Sequence, residues 1–296
     1  MQRCAVTVSD HWPQEVVDHA IRRNLILFVG AGISASCVND VDQRPPTWSQ
    51  LLVQVADRIG MDDRREELDH LIVRGRLLEA AELLKIDARY RSRSQDMFSS
   101  IKELVDGPNG HLFAGSGWHD AIVRAEPRII VTTNYDKIIE RATSAGYAVH
   151  EYMSPTVAAD VRRNYPLLLK IHGSVDHVDD LVLSRRDYTD VRHKGAHAME
   201  TLHALLLTRP ALLLGYRLYD PDLQLILENI FGGQNQTPPH YMLGPDDIPD
   251  YERDVLTYSY GVNVIPYPSG NYVEALKRFQ DLADHVAATP PAAGWA

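Results

Sequence analysis

Four short stretches hold residue types suited to chemistry, and each follows a run of apolar residues. Gly30-Ala31-Gly32-Ile33-Ser34-Ala35 follows Leu25 to Val29. Thr132-Thr133-Asn134-Tyr135-Asp136 ends the run that starts at Arg128, and Lys170-Ile171-His172-Gly173-Ser174 ends the run that starts at Leu167. Gly215-Tyr216-Arg217-Leu218, then Tyr219-Asp220-Pro221-Asp222, follows Ala211 to Leu214. Glycines between a strand and a helix let a backbone come close to a pyrophosphate, and a helix start behind them offers free N–H groups and a positive dipole end. An asparagine or histidine at a strand end can hold a ribose or move a proton. Each feature also has a purely structural reading. The glycines can serve chain geometry alone, Asn134 and Asp220 can cap the helices after them, and His172 can be a hydrogen-bonded core histidine.

The glycine stretch fits G-x-G-x-x-A, the dinucleotide fingerprint. A hydride-transfer site would need a second strand within about thirty residues, ending in an acidic residue for the ribose. Here the polar stretch Val38 to Trp48 follows, and no further strand signal comes before Arg128. A phosphate cradle is compatible with this order; the rest of a dehydrogenase half-site is not.

The elements that must position these stretches follow from the pattern. Short apolar runs alternate with amphipathic segments, the signature of a parallel sheet covered by helices. The runs from Leu25, Arg128, Leu167 and Ala211 read as buried strands, joined by His240 to Leu243 and Val262 to Tyr267. Helices are expected over Tyr135 to Ser144, Pro221 to Phe231 and Asn271 to Val286. From Thr47 to about Val123 the pattern is helical throughout, with a Thr47/Gln50 capping box at its start. The expected fold is α/β: a Rossmann-like parallel sheet of about six strands, helices on both faces, and an all-helical insertion after the first strand. The expected organisation is one domain over 1–288, with the insertion at about 47–123 and a flexible tail at 289–296.

Composition narrows the function classes. The 296 residues carry 30 Lys and Arg against 40 Asp and Glu, a formal charge of -10. That balance disfavours binding to a nucleic-acid backbone, where affinity comes from basic side chains. Two cysteines, Cys4 and Cys37, can build neither a four-thiolate zinc site nor a disulfide framework, and they fit a cytoplasmic protein. The first residues lack the apolar core of a signal peptide. The most apolar stretch, Ala204 to Gly215, is broken by Arg209 and Pro210 and is too short to span a bilayer. No membrane contact and no bound metal are expected.

In this order and spacing, the four stretches resemble the sirtuin superfamily, and more narrowly the bacterial sirtuin-like NAD hydrolases of antiphage defence. Pro45-Pro46-Thr47-Trp48-Ser49-Gln50-Leu51-Leu52 resembles their P-x-W-x-x-L-L segment. Leu183-Ser184-Arg185-Arg186-Asp187-Tyr188 resembles their L-[ST]-x-x-D-Y pattern, and Gly215 to Leu223 their G-x-x-x-x-D-P-D-L signature. The resemblance spans roughly residues 22 to 268. Deacylating sirtuins carry two CxxC pairs after the HG dipeptide, and this chain has no cysteine there. The resemblance therefore implies NAD as substrate without zinc, cleaved at the nicotinamide–ribose bond. It implies His172 as base, Asn134 orienting water or ribose, and Asp136 contacting or positioning the nicotinamide carboxamide. Gly30, Ala31, Gly32 and Ser34 would cradle the diphosphate, with Gly215 packed close to ribose and phosphates. An NAD-depleting enzyme must be gated to spare its host, so a homo-oligomer or a regulatory or sensor partner is expected. The alternatives are an NAD-dependent protein deacylase and a non-catalytic module that senses NAD or an ADP-ribose derivative.

Overall fold

The computed structural model describes residues 11–144, 146–216, 221–231 and 238–289. Helix α1 (Gln14–Ile21) leads into β1 (Ile26–Val29) and a single turn, α2 (Ala31–Ser34). Four helices follow: α3 (Trp48–Arg58), α4 (Arg65–Val73), α5 (Leu77–Tyr90) and α6 (Ser94–Asp106). Helix α7 (Gly117–Ala125) precedes β2 (Ile129–Thr132), α8 (Ile138–Ala142), β3 (Ala148–Glu151), α9 (Val157–Arg162) and β4 (Leu167–Lys170). The chain continues through α10 (Arg185–Lys194), α11 (Ala196–Thr208), β5 (Ala211–Leu214), α12 (Pro221–Phe231), β6 (His240–Pro245), α13 (Asp250–Tyr260), β7 (Val262–Tyr267) and α14 (Tyr272–Ala288).

The seven strands form one sheet in the order β3-β4-β2-β1-β5-β6-β7, and every pair is parallel. The continuous apolar runs reflect burial on both faces. Leu27 and Val29 of β1 point into a core shared with α1, α7 and α14, while Ile26 and Phe28 point into one shared with α9, α11 and α12. The α/β architecture is as the sequence implies, with one strand more. The added strand, β3, is an edge strand in which only His150 is buried and Val149 is exposed, so it lacks an apolar run.

Helices α3 to α6 enclose a separate core that includes Leu51, Leu52, Val55, Leu84 and Ile101. The capping box is formed: Gln50 N donates to Thr47 Oγ1, and Thr47 N donates to Gln50 Oε1 at 2.9 Å. Helix α7, although it lies in the helical stretch, packs on α14 through Trp118, whose ring stacks on Phe279 at 5.9 Å. Among the described residues, no helix is long and apolar enough to cross a membrane.

Candidate active site

Strand register brings the four stretches to one level. Val29 is paired with Thr132 and with Leu214, and Thr132 with Lys170. In a parallel sheet those residues end their strands at the same edge, so Gly30, Thr133, Ile171 and Gly215 leave the sheet side by side. This is the carboxyl edge, where open α/β sheets bind ligands.

The glycine loop is locked to the loop after β5. Gly30 N donates to Leu214 O and Gly32 N to Gly215 O, both at 2.9 Å. Gly215 has φ 62, in the left-handed region, and a Cβ there would sit 2.6 Å from Ile33 N. A Cβ on Gly32 would sit 2.8 Å from Gly215 O. Ala31 and Gly32 remain exposed. The helix behind the glycines is a single turn. Ser36 Oγ donates to Ile33 O at 2.6 Å, a local bond that competes with helix continuation. Any dipole contribution to anion binding is correspondingly small.

Ser34, Asn134 and Asp136 form one hydrogen-bonded chain. Asn134 Nδ2 donates to Ser34 Oγ at 2.9 Å, and Ser34 Oγ donates to Asp136 Oδ2 at 2.7 Å. Asp136 Oδ1 accepts from Ile138 N at 3.0 Å, and Asn134 N donates to Thr132 Oγ1 at 3.0 Å. All three side chains are buried, with Asn134 and Asp136 each 7% exposed. Burial pushes the Asp136 carboxyl above its ordinary value, against the nearby Lys170 ammonium and the Ser34 and Ile138 donors, which favour the charged form. Lys170 ends β4 with no exposed surface. Its Nζ donates to the Asp136 carbonyl at 2.5 Å, the Tyr135 carbonyl at 3.3 Å and Glu140 Oε1 at 2.8 Å. The 132–136 turn is thus pinned from both sides.

His172 lies two residues beyond β4 and is also 7% exposed. Its ring meets Tyr188 edge-on, with centroids 5.3 Å apart at 81°. Its carbonyl accepts from Val182 N at 3.0 Å. Cys37, under the glycine loop, is no nucleophile: burial and the Asp136 charge push its thiol up to about 11.

The structure therefore joins Ser34, Asn134 and Asp136 by hydrogen bonds. It sets Gly30, Gly32 and Gly215 in close approach and presents His172 at the same sheet edge. Arg217 to Asp220 lie outside the described residues. Two residues given no role from sequence belong to the setting: Lys170, whose signal was a charge closing an apolar strand, and Tyr188. Among the described residues, no group of three or more His, Cys, Asp or Glu is placed to hold a metal ion.

Residues 128–265, which run from the start of β2 into β7, match the SIR2-like domain family. The match covers a little under half of the chain. The matched span contains Asn134, His172 and Gly215; the fold adds the glycine loop of β1 beside them. Among curated proteins, the chain is 27% identical over 226 residues to NAD(+) hydrolase ThsA of Enterococcus faecium, covering 74% of this chain and 43% of that protein. It is 24% identical over 219 residues to NAD(+) hydrolase ThsA of Bacillus cereus (strain MSX-D12), covering 73% of this chain and 42% of that protein. It is 24% identical over 286 residues to defense-associated sirtuin 2 of Bacillus subtilis, covering 92% of this chain and 26% of that protein. The chain thus spans less than half the length of these relatives.

Proposed function

We propose that this chain hydrolyses NAD at the nicotinamide–ribose bond, as an NAD-depleting effector of antiphage defence. The observation that carries the reading is Asn134 and His172 at the carboxyl edge of a SIR2-like sheet, beside an exposed glycine loop. NAD hydrolases among the relatives support it. The C1′–N bond breaks through a transition state with oxocarbenium character at the ribose. Nicotinamide departs neutral because its ring nitrogen is cationic in NAD, so no general acid is needed. A water oxygen bonds to C1′ and gives up its proton, which His172 accepts.

The remaining roles follow from the hydrogen bonds. Asn134 gives its Nδ2 to Ser34, which directs its Oδ1 away from Ser34 for water or a ribose hydroxyl. Asp136, with each carboxylate oxygen accepting one bond, positions Ser34 and through it Asn134. The diphosphate lies along the exposed Ala31–Gly32 edge. Gly32's own amide is already bonded to Gly215, so Gly32 and Gly215 contribute closeness rather than a hydrogen bond there. An unrestrained activity of this kind would exhaust the host's NAD, so assembly of copies or a protein partner gates it.

The test is nicotinamide release from NAD by the full chain. His172→Ala lowers turnover roughly 10²–10⁴-fold, the range for a general base, and Asn134→Ala acts in the same sense. A His172→Ala protein that matches the parent rate refutes the assignment. Release only with an acylated peptide would identify a deacylase. Saturable NAD binding without release would identify a sensing module.

A further inference from the structure

The helical core of α3 to α6 and the strand-end site share one segment, residues 181–188. On one side, Leu181 and Leu183 are buried in the insertion's own core. On the other, Val182 N donates to the His172 carbonyl, and Tyr135 Oη donates to the Val182 carbonyl at 2.6 Å. The segment ends in Tyr188, whose ring sits edge-on to His172. A displacement of this segment is therefore a displacement of the packing around His172.

One face of α5 holds the first turn of α10 residue by residue. Glu79 pairs with Arg185 at 3.4 Å, Glu82 accepts from Arg186 N at 3.3 Å, and Lys85 donates to Asp187 Oδ1 at 2.5 Å. Residues three apart lie on one side of a helix, so these contacts form a single row. The Glu79 contact involves an exposed arginine, and exposed pairs are weak. The Lys85–Asp187 pair is different. Its side chains are 26% and 15% exposed. The other oxygen of Asp187 accepts from Leu183 N, Ser184 N and Ser184 Oγ at 3.0, 2.9 and 3.0 Å. One carboxylate thus holds the insertion through Oδ1 and the 183–187 turn through Oδ2, directly before Tyr188. Helices α5 and α10 also wall an open cleft of about 870 Å³, so their contact is not a continuous packed seam. This row of charged contacts, together with Leu78 of α5 packed against the cluster of Val182, Tyr188 and Val191, ties α5 to the start of α10.

From this geometry we infer that the helical insertion sets the placement of His172 through Lys85, Asp187 and Tyr188, which makes Lys85 a positioning residue of the site. The inference rests on the reading of His172 as the base. It also gives the gate a location: whatever shifts α5 against α10 changes turnover without touching NAD.

The experiment uses the full chain with ¹³C-labelled histidine and reads the His172 ring protons by NMR, assigned by their loss in His172→Gln. A ring edge-on to another shifts its proton signals, so Tyr188→Leu moves them. Lys85→Met is expected to move the His172 signals in the same sense as Tyr188→Leu. It leaves the buried His119 and His240 signals in place and lowers kcat about 10–100-fold with KM nearly unchanged, the scale for a base misplaced by about an ångström. Lys85→Arg, which keeps the pair, restores both readouts. His172 signals at parent positions in Lys85→Met, or Lys85→Arg as impaired as Lys85→Met, overturn the inference. The parent chain separates the two levels. If it releases no nicotinamide even with the products of its neighbouring genes present, the NAD hydrolase reading falls, while the His172 signals still decide whether Lys85 positions the ring.

Discussion

Lys170→Met tests whether the 132–136 turn is held by a buried charge. The Lys170 side chain is 0% exposed and its Glu140 partner 13%. Removing one member of a buried ion pair costs roughly 3–5 kcal/mol, because the other is left charged and unpaired. Glu140 keeps a little solvent, which favours the low end. The Tyr135 and Asp136 carbonyls lose a donor as well, at about 1 kcal/mol each. A net loss of about 5 kcal/mol follows. Unfolding entropy scales to about 0.6 kcal/mol per degree for a chain of this length, so the melting temperature falls by about 8 °C. Removing both charges, as Lys170→Met with Glu140→Leu, takes away the stranded carboxylate and recovers about 1–3 kcal/mol of the loss. Urea denaturation of the four proteins of this cycle gives the numbers. A single variant that loses less than about 1 kcal/mol refutes the account, as does a double variant no more stable than Lys170→Met.

Two further outcomes follow from the same geometry. Gly215→Ala forces a side chain into the left-handed region and against Ile33, so it is expected to cost about 2–4 kcal/mol and to weaken NAD binding. Unchanged denaturation and unchanged NAD affinity would show that the two loops are not locked. The second outcome is a pH dependence. His119 and His240 each accept a backbone N–H through Nδ1, from Ser116 and Ala211. Burial lowers each of them to about 4. Both are neutral in the fold, whereas the unfolded chain protonates them near 6.5. Their contribution is complete above pH 6.5 and is lost as pH falls toward 4, by about 3 kcal/mol each at most. Thermal melts between pH 7 and 4.5 measure it, and His119→Asn with His240→Asn flattens the profile. A melting temperature that stays level across that window in the parent sinks the argument.

The sheet was legible because strands buried on both faces are written as apolar runs. The same rule hid β3, which sits at an edge with Val149 exposed. The helix expected from Tyr135 begins only at Ile138. Asp136 Oδ1 takes the Ile138 amide while Lys170 draws on the Tyr135 and Asp136 carbonyls, so side chains hold the backbone that a helix would have used. Asn134 and His172 stood out because each follows a strand by two residues. The reach of Lys85 to Asp187 was not visible, because nothing local in either segment records a partner so distant in the chain.

The place of β1 in the sheet bears on how the chain folds. β1 is made before the other strands yet lies at the centre of the strand order, and Ile26 pairs with Ile129 on one side and Ala211 on the other. The pairs Ala148 with Leu167 and His240 with Val262 close far shorter loops. Short loops close first because they lose less chain entropy. β2, β3 and β4 can therefore assemble as one unit and β6 with β7 as another, while β1 waits for both sides of its slot. The glycine loop is carried by that last strand. On the proposed reading, a half-folded chain would hold Asn134 and His172 without the loop that brings a dinucleotide to them.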